Sequence, residues 1–145
     1  MEDIMKTDEL LEQAKKDLEY DKTNLQSAIH EIPIIFGRWI DYHVAEKIKL
    51  IRMQRRMNDL RKEKWLYYSG KASPEVYKKR PFGLKLLKAD VERFIDTDEE
   101  ISSLQADIDL QNEKVYLIDE VSREIKSRQW QINSLIKWNE YLSGK

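Results

Sequence analysis

The chain has 145 residues, of which 37% are charged and 41% hydrophobic, and its formal net charge is −1. With no Cys, disulfides and thiolate metal sites are excluded, and no apolar run approaches the ~18 residues of a membrane-spanning helix. Four Gly and three Pro in a chain rich in Glu, Lys, Leu and Ile predict an all-α fold.

The opening segment, MEDIMKTDELLEQAKKDLEYD, is acidic and lacks the basic region and apolar core of a secretion signal, so an intracellular soluble protein is expected. Residues 8–30 carry Leu11, Ala14, Leu18, Leu25 and Ala28 near helical spacing, which predicts a first helix. Pro33 disfavours helical geometry at the residue before it, making EIPII a break or a helix start. From Phe36 onward Trp39, His43, Leu50, Met53, Met57 and Leu60 fall on one helical arc, with Lys49, Arg52, Arg55 and Arg56 to one side. This helix is expected to end at Ser69-Gly70, where glycine accepts left-handed geometry. GKASPEVYKKRPFG reads as a loop, and GLKLLKADVERFI as a short helix.

TDEE, Thr97 to Glu100, has capping-box spacing, with Thr97 capping and Glu100 reaching back. From there to about Leu142 nothing breaks a helix of roughly 65–70 Å, which is too long to be buried inside its own small chain. In a heptad register its a positions are Ile101, Ile108, Val115, Ser122, Gln129 and Ile136. The d positions are Leu104, Gln111, Ile118, Ile125, Ile132 and Asn139, and Val121, Leu135 and Leu142 widen the seam at g. Such a seam serves self-association, as a homo-oligomeric bundle or ring, or folding back onto the chain's own earlier helices. The expected organisation is an extended helical subunit. An N-terminal helical region, 1–96, holds a basic-aromatic stretch at 46–93, and an oligomerisation helix covers 97–145.

Charge is segregated along the chain: residues 1–31 carry −5, 46–93 carry +9, 94–125 carry −8 and 126–145 carry +3. Between Arg55 and Arg80, nine basic residues interleave with Trp65, Tyr67, Tyr68 and Tyr77. Lys and Arg follow phosphates and aromatic rings stack on unpaired bases, so the mixture suits single-stranded nucleic acid without base reading. The candidate contacts are Arg55, Arg56, Lys62, Lys64, Trp65, Tyr67, Tyr68, Lys71, Lys78, Lys79 and Arg80. Trp65 and Tyr67 are open between packing and stacking, whereas Trp39, Met53 and Met57 read as core. A charged helix surface neutralised by its neighbours is the plainer alternative.

No catalytic constellation is present. His30 and His43 lie 13 residues apart, His43 falls on the apolar arc, and DTDEE lacks the glycine turn and ligand spacing of a calcium loop. No enzyme activity, cofactor or metal site is expected.

Four ordered groups resemble the UvsY-like recombination mediators of T-even-like phages: DLEYDKTNLQ at Asp17 to Gln26, Phe36-Gly37-Arg38-Trp39 with His43 after it, YYSG at Tyr67 to Gly70, and IKSR at Ile125 to Arg128. Their Lys-Ala-Arg-Leu group, associated with single-stranded DNA, corresponds to Lys62, Glu63, Lys64 and Trp65, with both basic positions kept. Gln129-Trp130 replaces the family's Gly-Phe, and the middle of the last helix matches poorly. The resemblance implies a ring-like homo-oligomer in the host-cell cytoplasm that binds single-stranded DNA, remodels the phage single-strand-binding protein and helps the strand-exchange recombinase nucleate. A structural coiled-coil adaptor, whose basic stripe binds an acidic protein face, is the rival from another class.

Overall fold

The computed structural model describes residues 6–144, which form five α-helices: α1 (Thr7–Leu18), α2 (Leu25–Tyr68), α3 (Pro74–Lys79), α4 (Lys88–Asp96) and α5 (Glu99–Leu142). None of the described helices is long and apolar enough to cross a membrane.

The first interruption comes earlier than Pro33. Asp21 accepts the Thr23 N–H at 2.8 Å, and Asn24 accepts the Ser27 N–H at 3.2 Å, capping α2. These short side chains offer the backbone partners outside a helix, which is why they separate α1 from α2. The predicted helix over 8–30 is therefore two pieces, and Pro33 lies inside α2 rather than at its edge. A proline inside a helix costs about 3 kcal/mol, but Ile35 and Trp39 are buried just beyond it and Ile32 and Phe36 are half-buried. Burial of several such side chains, each worth about 1.5–3 kcal/mol, outweighs the proline.

The far end of α2 falls as predicted. Gly70 has φ +76, Lys71 N–H donates to the Leu66 carbonyl at 2.9 Å, and Gly70 N–H to that of Tyr67 at 3.3 Å. This pair of bonds is a Schellman motif, which needs a left-handed residue and so favours glycine. The predicted loop over 70–83 contains α3, because Pro74 is preset for the first helical position and Ser73 stands before it. The cap of α5 is shifted by one residue from the predicted capping box. Asp98 accepts the N–H groups of Glu100 and Ile101 at 2.9 and 3.2 Å, while the Thr97 hydroxyl bonds back to the Arg93 carbonyl at the end of α4. A carboxylate caps with charge as well as a hydrogen bond, complementing the helix dipole.

The chain divides into two compact units: a terminal unit, up to Lys47 and from Glu113 onward, and a central unit, Ile48–Asn112. In the terminal unit, Leu10 and Ala14 of α1, Ile35 and Trp39 of α2, and Ile118, Val121 and Ile125 of α5 form one core cluster. Trp39 is fully buried, and its indole N–H donates to Asp17 at 2.8 Å. Gln13 and Arg38 also donate to the Asp17 carboxylate, at 3.0 and 3.2 Å, and Arg128 donates to the Asp17 carbonyl. Trp39→Phe is expected to lower stability by about 2 kcal/mol, since it leaves a buried carboxylate oxygen without its donor. A urea midpoint equal to that of the unsubstituted protein would show that the indole bond contributes nothing.

In the central unit the buried apolar side chains are Leu50 and Met57 of α2, Val91 and Ile95 of α4, and Ile101, Leu104 and Ile108 of α5. As far as Ile132, all the aliphatic a and d residues of the heptad seam are buried in the chain's own fold. The long helix is therefore not too long for its own chain, which supplies in α2 a helix of equal length, 44 residues. Beyond Ile132, Leu135 and Ile136 are half-exposed, and Trp138, Tyr141 and Leu142 are exposed.

Candidate nucleic-acid interface

Nine basic residues lie between Arg55 and Arg80, and the central unit sorts them into two sets. Arg61 pairs with Glu92 and Asp96 at 3.3 and 3.1 Å. Lys64 is buried against Asp98 and Glu100, at 3.2 and 3.3 Å, and Arg80 pairs with Glu100. These three are neutralised by the acidic α4 and the start of α5. Arg55, Arg56, Lys62, Lys71, Lys78 and Lys79 are exposed and have no ion-pair partner among the described residues.

Lys64 thus departs from its expected place on a phosphate-binding surface. Lys62 and Lys64 are two residues apart, about 200° around the helix, so one faces solvent and the other faces the core. The sequence carried a signal for this: Met53, Met57 and Leu60 define the inward arc, and Lys64 stands four residues after Leu60, where that arc continues. Arg55, Lys62 and Trp65 follow at seven and three residues and share the outward face. Trp65 is 39% exposed, and the Lys71 ammonium lies 4.7 Å from its ring centre. Its indole is partly exposed, with the Lys71 ammonium over one face of the ring.

The tyrosines are used differently. Tyr67 stacks on Tyr77 with centroids 5.5 Å apart, while Tyr68 packs edge-on to Phe82 and tilted against Phe94. The Tyr68 hydroxyl donates to Asp98 at 2.6 Å, that of Tyr67 to the Arg80 carbonyl at 3.1 Å, and that of Tyr77 to the Tyr67 carbonyl at 2.8 Å. These rings and hydroxyls fasten the segment from Lys71 to Arg80 to the end of α2. Tyr67 and Tyr68 are half-buried in this cluster, and Trp65 is the most open ring of the three predicted for stacking.

Asp98 and Glu100 were not foreseen as part of the site. Burial opposes ionisation of Asp98, but hydrogen bonds from Tyr68, the Ile101 N–H and Lys64 outweigh it and hold the carboxyl below its usual range. The Arg80 hydrogen bond, aided by Lys64, does the same for Glu100 against a smaller burial effect. Burial, with the anionic Asp98 beside it, raises the Tyr68 phenol well above its ordinary value. The phenol therefore stays protonated and donates throughout the physiological range. Among the described residues no group of His, Asp and Glu is arranged to hold a metal ion.

Three of the four sequence groups that carried the resemblance meet in the terminal unit, where Asp17, Arg38, Trp39 and Arg128 are hydrogen-bonded together. The Arg128 guanidinium also lies 5.1 Å from the ring centre of Tyr20. The fourth group, YYSG, forms the capped end of α2 in the central unit.

A comparison with curated protein sequences finds no match. Among solved structures the fold is similar to that of the bacteriophage T4 recombination mediator protein UvsY in several crystal lattices. One superposes with a TM-score of 0.83 at 20% identity, over 94% of this chain and 99% of the phage protein. A second gives 0.84 at 19% identity, over 96% and 98%. The sequence pattern of one family, described as the recombination, repair and ssDNA binding protein UvsY, matches residues 13–145. With the match running over nearly all of the chain and the fold agreeing, the chain belongs to the UvsY family.

Proposed function

We propose that this protein is a non-catalytic recombination mediator that binds single-stranded DNA as a homo-oligomer and helps load a phage strand-exchange recombinase onto DNA covered by single-strand-binding protein. The observation that carries the reading is the set of six exposed cations between Arg55 and Lys79 that have no ion-pair partner among the described residues, in a chain whose net charge is only −1. Clustered positive charge repels itself unless an anion meets it. Membership of a family described by single-stranded DNA binding supports DNA as that anion.

On this reading Arg55, Arg56, Lys62, Lys71, Lys78 and Lys79 follow phosphates, and Trp65 stacks on a base. Arg80 keeps a secondary part, since its side chain is 66% exposed although it is paired. Lys64, Tyr67 and Tyr68 hold the framework. Self-association is assigned to the open end of the seam: Leu135, Ile136 and Leu142, with Trp138 and Tyr141 beside them.

Single strands should bind more tightly than matched duplexes, because only unpaired bases offer a face to Trp65. Anisotropy titrations at several salt concentrations test this. The logarithm of the affinity should fall linearly with that of salt, with a slope of about −0.7 per phosphate contacted. Equal affinity for both forms would remove the stacking contact, and the absence of salt-sensitive binding to either would favour the adaptor reading. A strand-exchange assay with DNA precoated by single-strand-binding protein tests the loading step.

A further inference from the structure

We propose that the cavity between the end of α2, α3 and the start of α5 seats one nucleotide of the bound strand, its base against Leu66, Tyr67, Ala72 and Val76 and its phosphate at Lys79 and Arg80. This rests on the single-strand-binding reading and adds to it a defined seat. The cavity has a volume of about 500 Å³ and lies wholly within the central unit. That is within the ~300–1,000 Å³ of small-molecule sites, which combine apolar walls with a few placed polar groups.

Helix α3 buries none of its residues, so hydrophobic burial does not explain its position. It is held instead by the Tyr77 hydroxyl, which donates to the Tyr67 carbonyl and accepts the Ala72 N–H at 3.3 Å, and by the stacking of Tyr77 on Tyr67. The result is a fixed wall that presents Val76, 40% exposed, to the cavity. At the rim, Lys79 is exposed and has no ion-pair partner among the described residues, and Arg80 keeps part of its guanidinium in solvent. Two carboxylates also line the cavity: the charge of Glu100 is met by both Lys64 and Arg80, while Glu63 is exposed and sets one negative charge against the two cations of the phosphate end. An apolar slot beside two cations matches the two halves of a nucleotide, and Trp65 nearby offers a surface for another base.

The test uses the full-length protein and two strands of one length, one of adenines and one abasic. The variant Ala72→Leu/Val76→Leu fills the slot without adding charge or an aromatic ring, and at position 76, inside α3, leucine is a good helix former. The unsubstituted protein should prefer the adenine strand. The double variant should lose roughly tenfold in affinity for that strand, the scale of one lost base contact, while binding the abasic strand as before. A 2-aminopurine in the strand should be quenched by the unsubstituted protein and less so by the variant. If the variant keeps the full preference for bases, the seat is not there. If the unsubstituted protein binds no single strand at all, the single-strand-binding reading itself falls, and the seat with it.

Discussion

Replacing Trp138 and Leu142 together with glutamate is expected to lower the affinity for single-stranded DNA by ~10²–10⁴-fold, although no basic residue is removed. The two side chains are 55% and 65% exposed, and Trp138 stacks on the still more open Tyr141 with ring centres 5.7 Å apart. A clustered apolar surface at a helix end marks an interaction site more often than an idle one. The proposed oligomer places it against another copy. Each copy then offers only a few phosphate contacts, and the assembly makes every contact after the first intramolecular. Light scattering should report a monomer for the double variant, and anisotropy the loss of tight binding. Tight, salt-sensitive binding by a verified monomer would contradict the avidity mechanism, and an unchanged assembly mass would place the interface elsewhere. Ile125 and Ile132 are unsuitable targets for this purpose, because they are fully buried in the terminal unit and their replacement would unfold it.

Lys64→Ala should destabilise the central unit by about 3 kcal/mol, because it strands the buried carboxylate of Asp98. The lysine and aspartate side chains are 11% and 7% exposed, so water does little to screen the remaining charge. Lys62→Ala removes an equal charge from an exposed position and should change stability by less than about 0.5 kcal/mol. Urea denaturation of the two variants separates the roles of residues that look alike in sequence. Lost DNA binding in a Lys64 variant then reports on folding, whereas lost binding in the Lys62 variant reports on a phosphate contact. Equal stability of both would mean that the ion pair is dispensable. The carboxyls of Asp98 and Glu100 are held below their ordinary values of 3.8 and 4.5. Their contribution is therefore complete above those values and is lost as pH falls through the depressed ones. In Lys64→Ala this acid-dependent part of stability should shrink.

Much of the fold was legible in the sequence because it follows from local rules. The helical arc through Trp39, Leu50 and Met57 set the inward face of α2, and Gly70 marked its end. The uninterrupted run after Asp98 gave α5 nearly its full length. The failures arose where distant packing decided the outcome. Pro33 is a helix breaker by local rules, yet Ile35 and Trp39 are buried beyond it. Likewise α3 is too short to announce itself, and tyrosine hydroxyls rather than periodicity hold it in place. For the candidate site, charge density picks out a region in which Arg55, Lys62 and Lys79 are exposed. Counting charges assigns no partners, however, and Lys64 and Arg80 find theirs at the cap of α5 and in its first turn, 34 and 20 residues away along the chain. The seam misled in a related way. A heptad pattern specifies that a face will be covered, and here the chain covers most of it itself.

The hydrogen bond from Arg128 to Asp17 joins residues 111 positions apart, and this separation bears on the order in which the protein is made. A ribosome that has released the chain as far as Asn112 has released every residue of the central unit, while the terminal unit still lacks its portion of α5. Until then Trp39, Leu10 and Ala14 are without the side chains that cover them. The central unit can therefore form during synthesis from contacts close in sequence, whereas the terminal unit closes a long loop and must wait for the segment of α5 beyond Glu113. During that interval a chaperone would find its apolar target in α1 and the first half of α2.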